Sequence, residues 1–160
     1  MQTTPRNPYA APTSAVADTQ AEARHSVAVL IGAAIGNGIA YGVLAVCSLI
    51  FLWVLTAQGV PIQDLYSRAY QSDTYLIFAH LVGLACLMPG GYWAARLSRG
   101  RTTLNVSLAG SLVSIFALLE NVTPYIAPIP LWSRVASVAI PVPAFILGAL
   151  YWRRASKSPR

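Results

Sequence analysis

The chain contains four long apolar blocks, and the first of them carries no Asp, Glu, Lys, Arg or His between residues 26 and 63. Its most apolar part, residues 27–55, exceeds the ~20 residues that an α-helix needs to cross hydrocarbon. A helix or strand that faced water would instead alternate apolar with polar positions. Lipid is therefore the expected solvent, and the block predicts a transmembrane helix.

Three further blocks, at about residues 74–95, 103–121 and 133–152, predict three more spans. The chain is 56% hydrophobic and only 10% charged, whereas soluble domains carry about 25% charged residues. We therefore expect an all-α membrane fold, a bundle of four transmembrane helices. Residues 1–25 are rich in Pro, Ala, Thr and Ser and predict a flexible tail, and residues 153–160 predict a short basic tail.

The basic residues are distributed unevenly between the two sides of this predicted bundle. One side would hold Arg6, Arg24, Arg96, Arg99, Arg101, Arg153, Arg154, Lys157 and Arg160, and the other only Arg68 and Arg134. Basic residues concentrate on the cytoplasmic side of membrane proteins. The pattern predicts a multi-pass protein of a bacterial inner membrane with both termini in the cytoplasm, in contact with lipid head groups and without a nucleic-acid partner.

Small residues form a ridge along the first span. Gly32 and Gly36, then Gly38 and Gly42, are two successive small-xxx-small pairs, which Ala28, Ala40 and Ala45 extend. This spacing lets two helices approach closely. The third span offers a matching small polar face, made of Ser107, Gly110, Ser111 and Ser114. We expect this face to pack against the glycine ridge of the first span.

Prolines predict irregular helices at two places. Pro89 should kink the second span, and Pro141 and Pro143 should bend or locally open the fourth. The carbonyl groups that these prolines release need partners, so their face should point into the bundle. Between the first two spans, residues 62–73 fit either a short amphipathic helix at the interface or a polar loop.

Asn37, His80 and Glu120 are the candidate intramembrane polar site, because ionisable or amide side chains in a span are costly and are usually functional. His80 suits a structural hydrogen bond between helices. Glu120, at the end of the third span, suits a pair with Arg134 across the following turn. Alternatively it faces His80, in which case the two would form a proton-responsive pair.

Residues needed by several classes of membrane enzyme are missing from the sequence. Only His80 is embedded, although a transmembrane haem needs two facing histidines, and the two cysteines, Cys47 and Cys86, lie mid-block rather than paired near a surface. No catalytic triad, zinc spacing or phosphate-binding glycine loop is visible. We therefore expect no enzymatic activity, no cofactor and no metal.

Residues 90–99 read Gly-Gly-Tyr-Trp-Ala-Ala-Arg-Leu-Ser-Arg and are followed by a short basic turn and a helix of small residues. This segment resembles the hairpin between helices two and three of small, uncharacterised bacterial four-helix membrane proteins. The resemblance implies a four-helix membrane fold and carries no activity.

Two functions follow from these patterns. The glycine and serine faces favour a protein that acts through helix or lipid contacts, as an accessory subunit, an assembly factor or a homo-oligomer. The alternative is a small transporter or channel in which the broken fourth helix, His80 and Glu120 line a path. The two differ in one feature, since a transporter needs polar groups at mid-depth on more than one helix.

Overall fold

The architecture was obtained as a computed structural model, which describes residues 13–98, 102–122 and 129–156, with side chains from His25 onward. Within these residues the chain is helical. The helices are α1 (Thr13–Ala57), α2 (Leu65–Gln71), α3 (Asp73–Leu97), α4 (Thr102–Val122), α5 (Leu131–Ala139) and α6 (Pro141–Ala155). A 3₁₀ turn at Ile62–Asp64 precedes α2.

Four helical stretches are long and apolar enough to cross a membrane. They are His25–Ala57, Asp73–Leu97, Thr102–Val122 and Leu131–Ala155, the last formed by α5 and α6 together. Each contains the corresponding predicted span. By length and composition, the expected four-helix membrane architecture is confirmed.

Helix α1 begins earlier than the sequence pattern suggested. It starts at Thr13, so residues 13–24 of the predicted flexible tail are helical, while residues 1–12 lie outside the described part of the chain. The reason is local composition: after Pro12 the segment contains Ala, Glu, Gln and Arg, which favour helix, and no Gly or Pro. Of the predicted basic tail, residues 157–160 are likewise not described.

Residues 62–71 adopt the helical alternative rather than the loop. Gly59 makes the turn after α1 with a φ of 83°, a value that glycine reaches without strain. The apolar face of the predicted amphipathic helix contains Ile62, Leu65, Tyr66 and Ala69: Leu65 and Ala69 are buried, whereas Tyr66, and Ile62 in the turn before α2, are 50% and 79% exposed. Helix α2 therefore contacts the bundle through part of that face only.

The bundle is held most extensively by α3, which packs along both α1 and α6. Contacts also define its two ends. His25 of α1 and Ser98 after α3 meet Asn105 near the start of α4, and Arg153 of α6 reaches Thr103. We call this the terminal end, and the opposite end, which carries α2, the α2 end.

The glycine ridge of α1 packs closely, but against a different partner from the one expected. A Cβ atom on Gly32 would lie 2.6 Å from Cβ of Ala94, and one on Gly36 would lie 2.8 Å from Cζ of Phe145. The neighbours are thus α3 and α6, and the predicted packing of the ridge against the serine face of α4 is wrong. Gly90 and Ala94 supply the small surface on α3 that the sequence analysis did not assign to this role.

The second glycine pair of the predicted ridge, Gly38 and Gly42, does not pack against another described residue. Gly38 and Gly42 are exposed, and a Cβ atom on either would have no neighbour within 4 Å. On α4, Gly110 faces α6, where a Cβ would lie 2.9 Å from Cα of Val142. Ser111 lines a space between α1 and α4, Ser107 is half-buried, and the buried Ser114 hydroxyl has no hydrogen-bond partner.

The prolines act differently in the two spans. Helix α3 continues through Pro89 to Leu97. The fourth span consists of two helices that meet at Ile140, with Pro141 at the first position of α6. Ile140 keeps helical φ and ψ angles, and its N–H donates to the carbonyl of Ala136 over 2.9 Å. Pro141 is buried and Pro143 is exposed, so of the two only Pro141 lies on the bundle side.

Candidate functional site

A cavity of about 210 Å³ lies inside the α2 half of the bundle and is lined by residues from all four candidate spans. Its polar lining consists of Asn37, Tyr41, His80, Glu120 and Ser137. Its apolar lining consists of Ala40, Leu44, Ala79, Gly83, Leu87, Val113, Ala117, Ile140 and Pro141. We call this space the polar cavity.

The polar cavity extends from near the α2 end to the middle of the bundle. At 1.5 Å per residue, His80 is about 10 Å and Leu87 about 21 Å from the start of α3. Glu120 is only about 3 Å from the end of α4 by the same measure. Tyr41 and Glu120 are exposed, whereas Leu87 and Val113 are buried. The cavity therefore has an exposed wall at Tyr41 and Glu120 and a buried wall at Leu87 and Val113.

His80 connects α3 with α5. Its Nε2 atom lies 2.9 Å from the hydroxyl of Ser133, and either group donates according to the imidazole tautomer. Ser133 is the buried residue of α5. The ring of Trp132 meets His80 edge-on, with centroids 5.7 Å apart, and the Trp132 indole N–H donates to Asp73 over 3.3 Å. These contacts hold α5 against the first half of α3.

Glu120 lies at the opposite wall of the polar cavity. Its Oε1 accepts a hydrogen bond from the hydroxyl of Tyr41 on α1. Beside it on α4, the Asn121 amide donates to the hydroxyl of Ser137 and to the carbonyl of Arg134, at 3.0 and 3.2 Å. The structure thus brings His80 and Glu120 to one cavity, while the pair between Glu120 and Arg134 stays a prediction.

Close helix packing seals the polar cavity toward the terminal end. Phe145 is fully buried, and its ring lies beside Gly36 and Gly90. Gly91 faces the backbone of Phe145, and Gly148 faces the backbone of Met88, each closely enough that a Cβ atom would overlap it. In this half of the bundle α3 and α6 are in backbone contact at these glycines, and a separate space between the two helices lies beside Pro89, Tyr92 and Tyr151.

A second polar cluster at the terminal end was missed by the sequence analysis. Asn105 is 2% exposed, and its amide nitrogen lies 2.9 Å from both His25 Nδ1 and the Ser98 hydroxyl. Ser98 in turn donates to the carbonyl of Ala94 over 2.6 Å. Because the amide has two N–H groups, it can donate to both neighbours, which joins α1, α3 and α4.

Sequence reasoning found three of the five polar residues of the cavity: Asn37, His80 and Glu120. It missed Tyr41 and Ser137, because tyrosines and serines are common in spans and their spacing does not show which face they occupy. It also missed Ser133, the hydrogen-bond partner of His80. The signal available for Ser133 and Ser137 was their position just before the predicted break at Pro141.

The described residues contain no cluster of three or more His, Cys, Asp or Glu side chains that could hold a metal ion. Cys47 and Cys86 are free and half-buried. No family model matches the chain, and searches of curated proteins and of solved structures returned no significant match.

Proposed function

We propose that this chain is a small transporter or channel of a bacterial inner membrane, with both termini in the cytoplasm. The observation that carries the proposal is the convergence of polar side chains from all four spans on one cavity that reaches mid-depth. Polar groups inside a bundle are costly, and they persist where they bind a substrate or relay a proton. Sequence patterns alone favoured an accessory role, but this convergence is the feature that distinguishes a transporter.

The shape of the polar cavity bears on how a solute would cross. Its exposed wall is at Tyr41 and Glu120, and the packing around Phe145 closes it toward the terminal end. A continuous pore is thus absent among the described residues, so passage requires a change in helix packing. The junction at Ile140 supplies a place where α5 can move while α6 stays in backbone contact with α3.

Proteoliposomes containing the full-length chain test this proposal. With an imposed K⁺ gradient and valinomycin, a pH-sensitive dye inside the vesicles reports proton movement. Vesicles loaded with different internal salts show whether other cations move. We expect a flux above that of protein-free vesicles, reduced at least tenfold by His80→Ala and by Glu120→Gln. His25→Ala and Asp64→Asn are matched controls outside the polar cavity and should retain the flux. A flux equal to that of empty vesicles would overturn the proposal.

A separate observation supports a second function. Gly38, Gly42 and Ala45 are exposed along α1, and no part of the described chain covers the two glycines. A face of small residues lets another helix approach closely in lipid, which suits an accessory or assembly subunit or a homo-oligomer. With both native cysteines replaced, Gly42→Cys should then form a cross-link to a defined partner or a second copy in membranes. A specific cross-link without any flux would favour this function.

A further inference from the structure

We infer that a groove between α1 and α4 at the terminal end holds one anionic phospholipid, with its phosphate beside His25 and one acyl chain along α4. The groove is lined by residues that include His25, Val29, Asn105, Leu108, Leu112 and Ile115. We call it the terminal groove. It shares no lining residue with the polar cavity, so this inference does not depend on the proposed function.

The terminal groove is polar at one end and, apart from Ser111, apolar along the rest. Its polar end is formed by His25 and Ser26, at the start of the first span, and by Asn105, in the first turn of α4. From Asn105 to Ile115 the groove follows α4 for about 15 Å, at 1.5 Å per residue. The ~30 Å hydrocarbon core contains two leaflets, so the groove is one leaflet deep. An acyl chain that enters beside a head group at the terminal end matches this length.

The volume of the terminal groove also fits a long acyl chain. It is about 460 Å³, roughly three times the ~150 Å³ that holds one benzene molecule in an engineered protein cavity. Because benzene has six carbon atoms, the same ratio gives room for about 18 carbon atoms. Leu30, Leu108 and Ile115 of the lining are 59%, 51% and 53% exposed. The groove is therefore open to the bilayer, and a chain can enter it from the side.

Hydrogen bonds at the polar end fix the position of the proton on His25. The Ser98 hydroxyl donates to the carbonyl of Ala94, so it accepts from Asn105, which must present its NH₂ group there. The same nitrogen lies 2.9 Å from His25 Nδ1. Since an amide NH₂ group cannot accept, Nδ1 is the acceptor and the neutral imidazole carries its proton on Nε2. Within the described part of the chain this N–H makes no hydrogen bond, so it is a donor for a phosphate oxygen.

The charge of the terminal end suits an anionic head group. Arg24 precedes His25 on α1, and Arg99 and Arg101 lie in the connection between α3 and α4. Nine of the 11 Lys and Arg residues belong to this end in the predicted topology, and its acidic residues are Asp18 and Glu22. The described lining of the groove contains no Asp or Glu. Basic pockets between spans on the cytoplasmic side bind anionic lipid head groups, whereas a zwitterionic head group gains no net attraction from them.

Native mass spectrometry of the full-length protein in detergent tests the inference, with dioleoyl phosphatidylglycerol as the anionic probe and dioleoyl phosphatidylcholine as its zwitterionic match. The measured quantity is the dissociation constant of the first bound lipid. One basic residue near an anionic head group contributes about a fivefold change in affinity. With several such residues, we expect phosphatidylglycerol to bind about tenfold more tightly than phosphatidylcholine, or better. Equal constants for the two lipids would overturn the inference.

Two matched pairs of variants locate the lipid. His25→Phe keeps a ring but removes the N–H, and should weaken phosphatidylglycerol about tenfold, whereas His80→Phe, outside the groove, should leave its dissociation constant unchanged. Ser111→Phe places a ring in the apolar part of the groove and should weaken both lipids several-fold. Ala85→Phe places the same ring in the separate space between α3 and α6 and should change neither constant. Unfolding temperatures show which variants fold, and either pair suffices. If the two members of a folded pair behave alike, the lipid lies elsewhere and the inference is wrong.

The same measurement distinguishes the lipid from other occupants. Glycerol 3-phosphate carries the phosphate without an acyl chain and should not displace phosphatidylglycerol at millimolar concentration. Displacement would assign the polar end to a soluble phosphate ester and overturn the inference. A dimer that Ser111→Phe abolishes, with lipid binding unchanged, would assign the groove to a second copy of the chain and overturn it as well. Selective lipid binding without any flux in proteoliposomes would reject transport and keep the lipid site, so the two proposals fail independently.

Discussion

Gly90 on α3 lies so close to Gly36 on α1 that a Cβ atom on Gly90 would be 2.7 Å from Cα of Gly36. The same Cβ would be 2.6 Å from the carbonyl oxygen of Gly32 and 2.8 Å from Cζ of Phe145. Three helices therefore meet at a point where no side chain larger than hydrogen fits on α3. Such contacts between backbones replace the hydrophobic effect as the source of stability in lipid, where helices associate through close packing.

Gly90→Ala should destabilise the bundle by about 1–3 kcal/mol, because the added methyl group overlaps backbone atoms that cannot rotate away. Gly42→Ala is the matched control: no atom lies within 4 Å of its Cβ position, and alanine favours helix over glycine by about 1 kcal/mol in water. The measurement is the unfolding temperature of each purified variant in the same detergent. A Gly90→Ala variant as stable as the Gly42→Ala variant would contradict the packing described here.

Much of this arrangement follows from sequence, because four spans of adequate length and the small residues at Gly32 and Gly36 are visible in the residue pattern. The partner of that ridge was not predictable. A small-xxx-small pair shows that another helix can approach closely, but not which one. Gly90 and Gly91 also fit a proline-associated kink, and the serine face of α4 is an equally suitable partner by its sequence. Which of several small faces meet depends on side-chain volumes across the whole bundle, such as the ring of Phe145.

The polar cavity was predictable in part. Asn37, His80 and Glu120 stand out because amide, imidazole and carboxylate groups are rare in hydrocarbon. Tyr41 and Asn105 do not stand out in the same way. Tyrosine is ordinary near an interface, and an asparagine near a helix start resembles a cap, although Asn105 is buried and joins three helices.

Asn105→Ala should cost about 1–3 kcal/mol in stability, since it removes the two hydrogen bonds that the buried Asn105 amide makes to His25 and Ser98. His25→Ala should cost less, as His25 lies at the edge of the span. Because the two side chains are in contact at 2.9 Å, the double variant should be less destabilised than the sum of the two single variants. Additive losses in a double-mutant cycle of unfolding free energies would show that the two side chains do not interact.

His80→Ala should loosen α5 without unfolding the bundle, because it removes the hydrogen bond to Ser133 and the ring that Trp132 contacts. Ser137→Cys, in a chain whose Cys47 and Cys86 are changed to alanine, reports this through its rate of labelling by a water-soluble thiol reagent. We expect a several-fold faster rate with His80→Ala. The control is His25→Ala, a histidine at the terminal end, which should leave the rate unchanged. Equal rates in all three backgrounds would mean that His80 does not hold α5.

The uneven distribution of basic residues predicts which side of the membrane each end of the bundle faces. Nine of the 11 Lys and Arg residues belong to the terminal end in the predicted topology, and basic loops remain in the cytoplasm. Gln63→Cys in the 3₁₀ turn and Ser156→Cys after α6 are exposed positions at opposite ends. In intact cells and a cysteine-free background, a membrane-impermeant maleimide should label position 63. Position 156 should react only after the cells are permeabilised. The reverse pattern would place the α2 end in the cytoplasm.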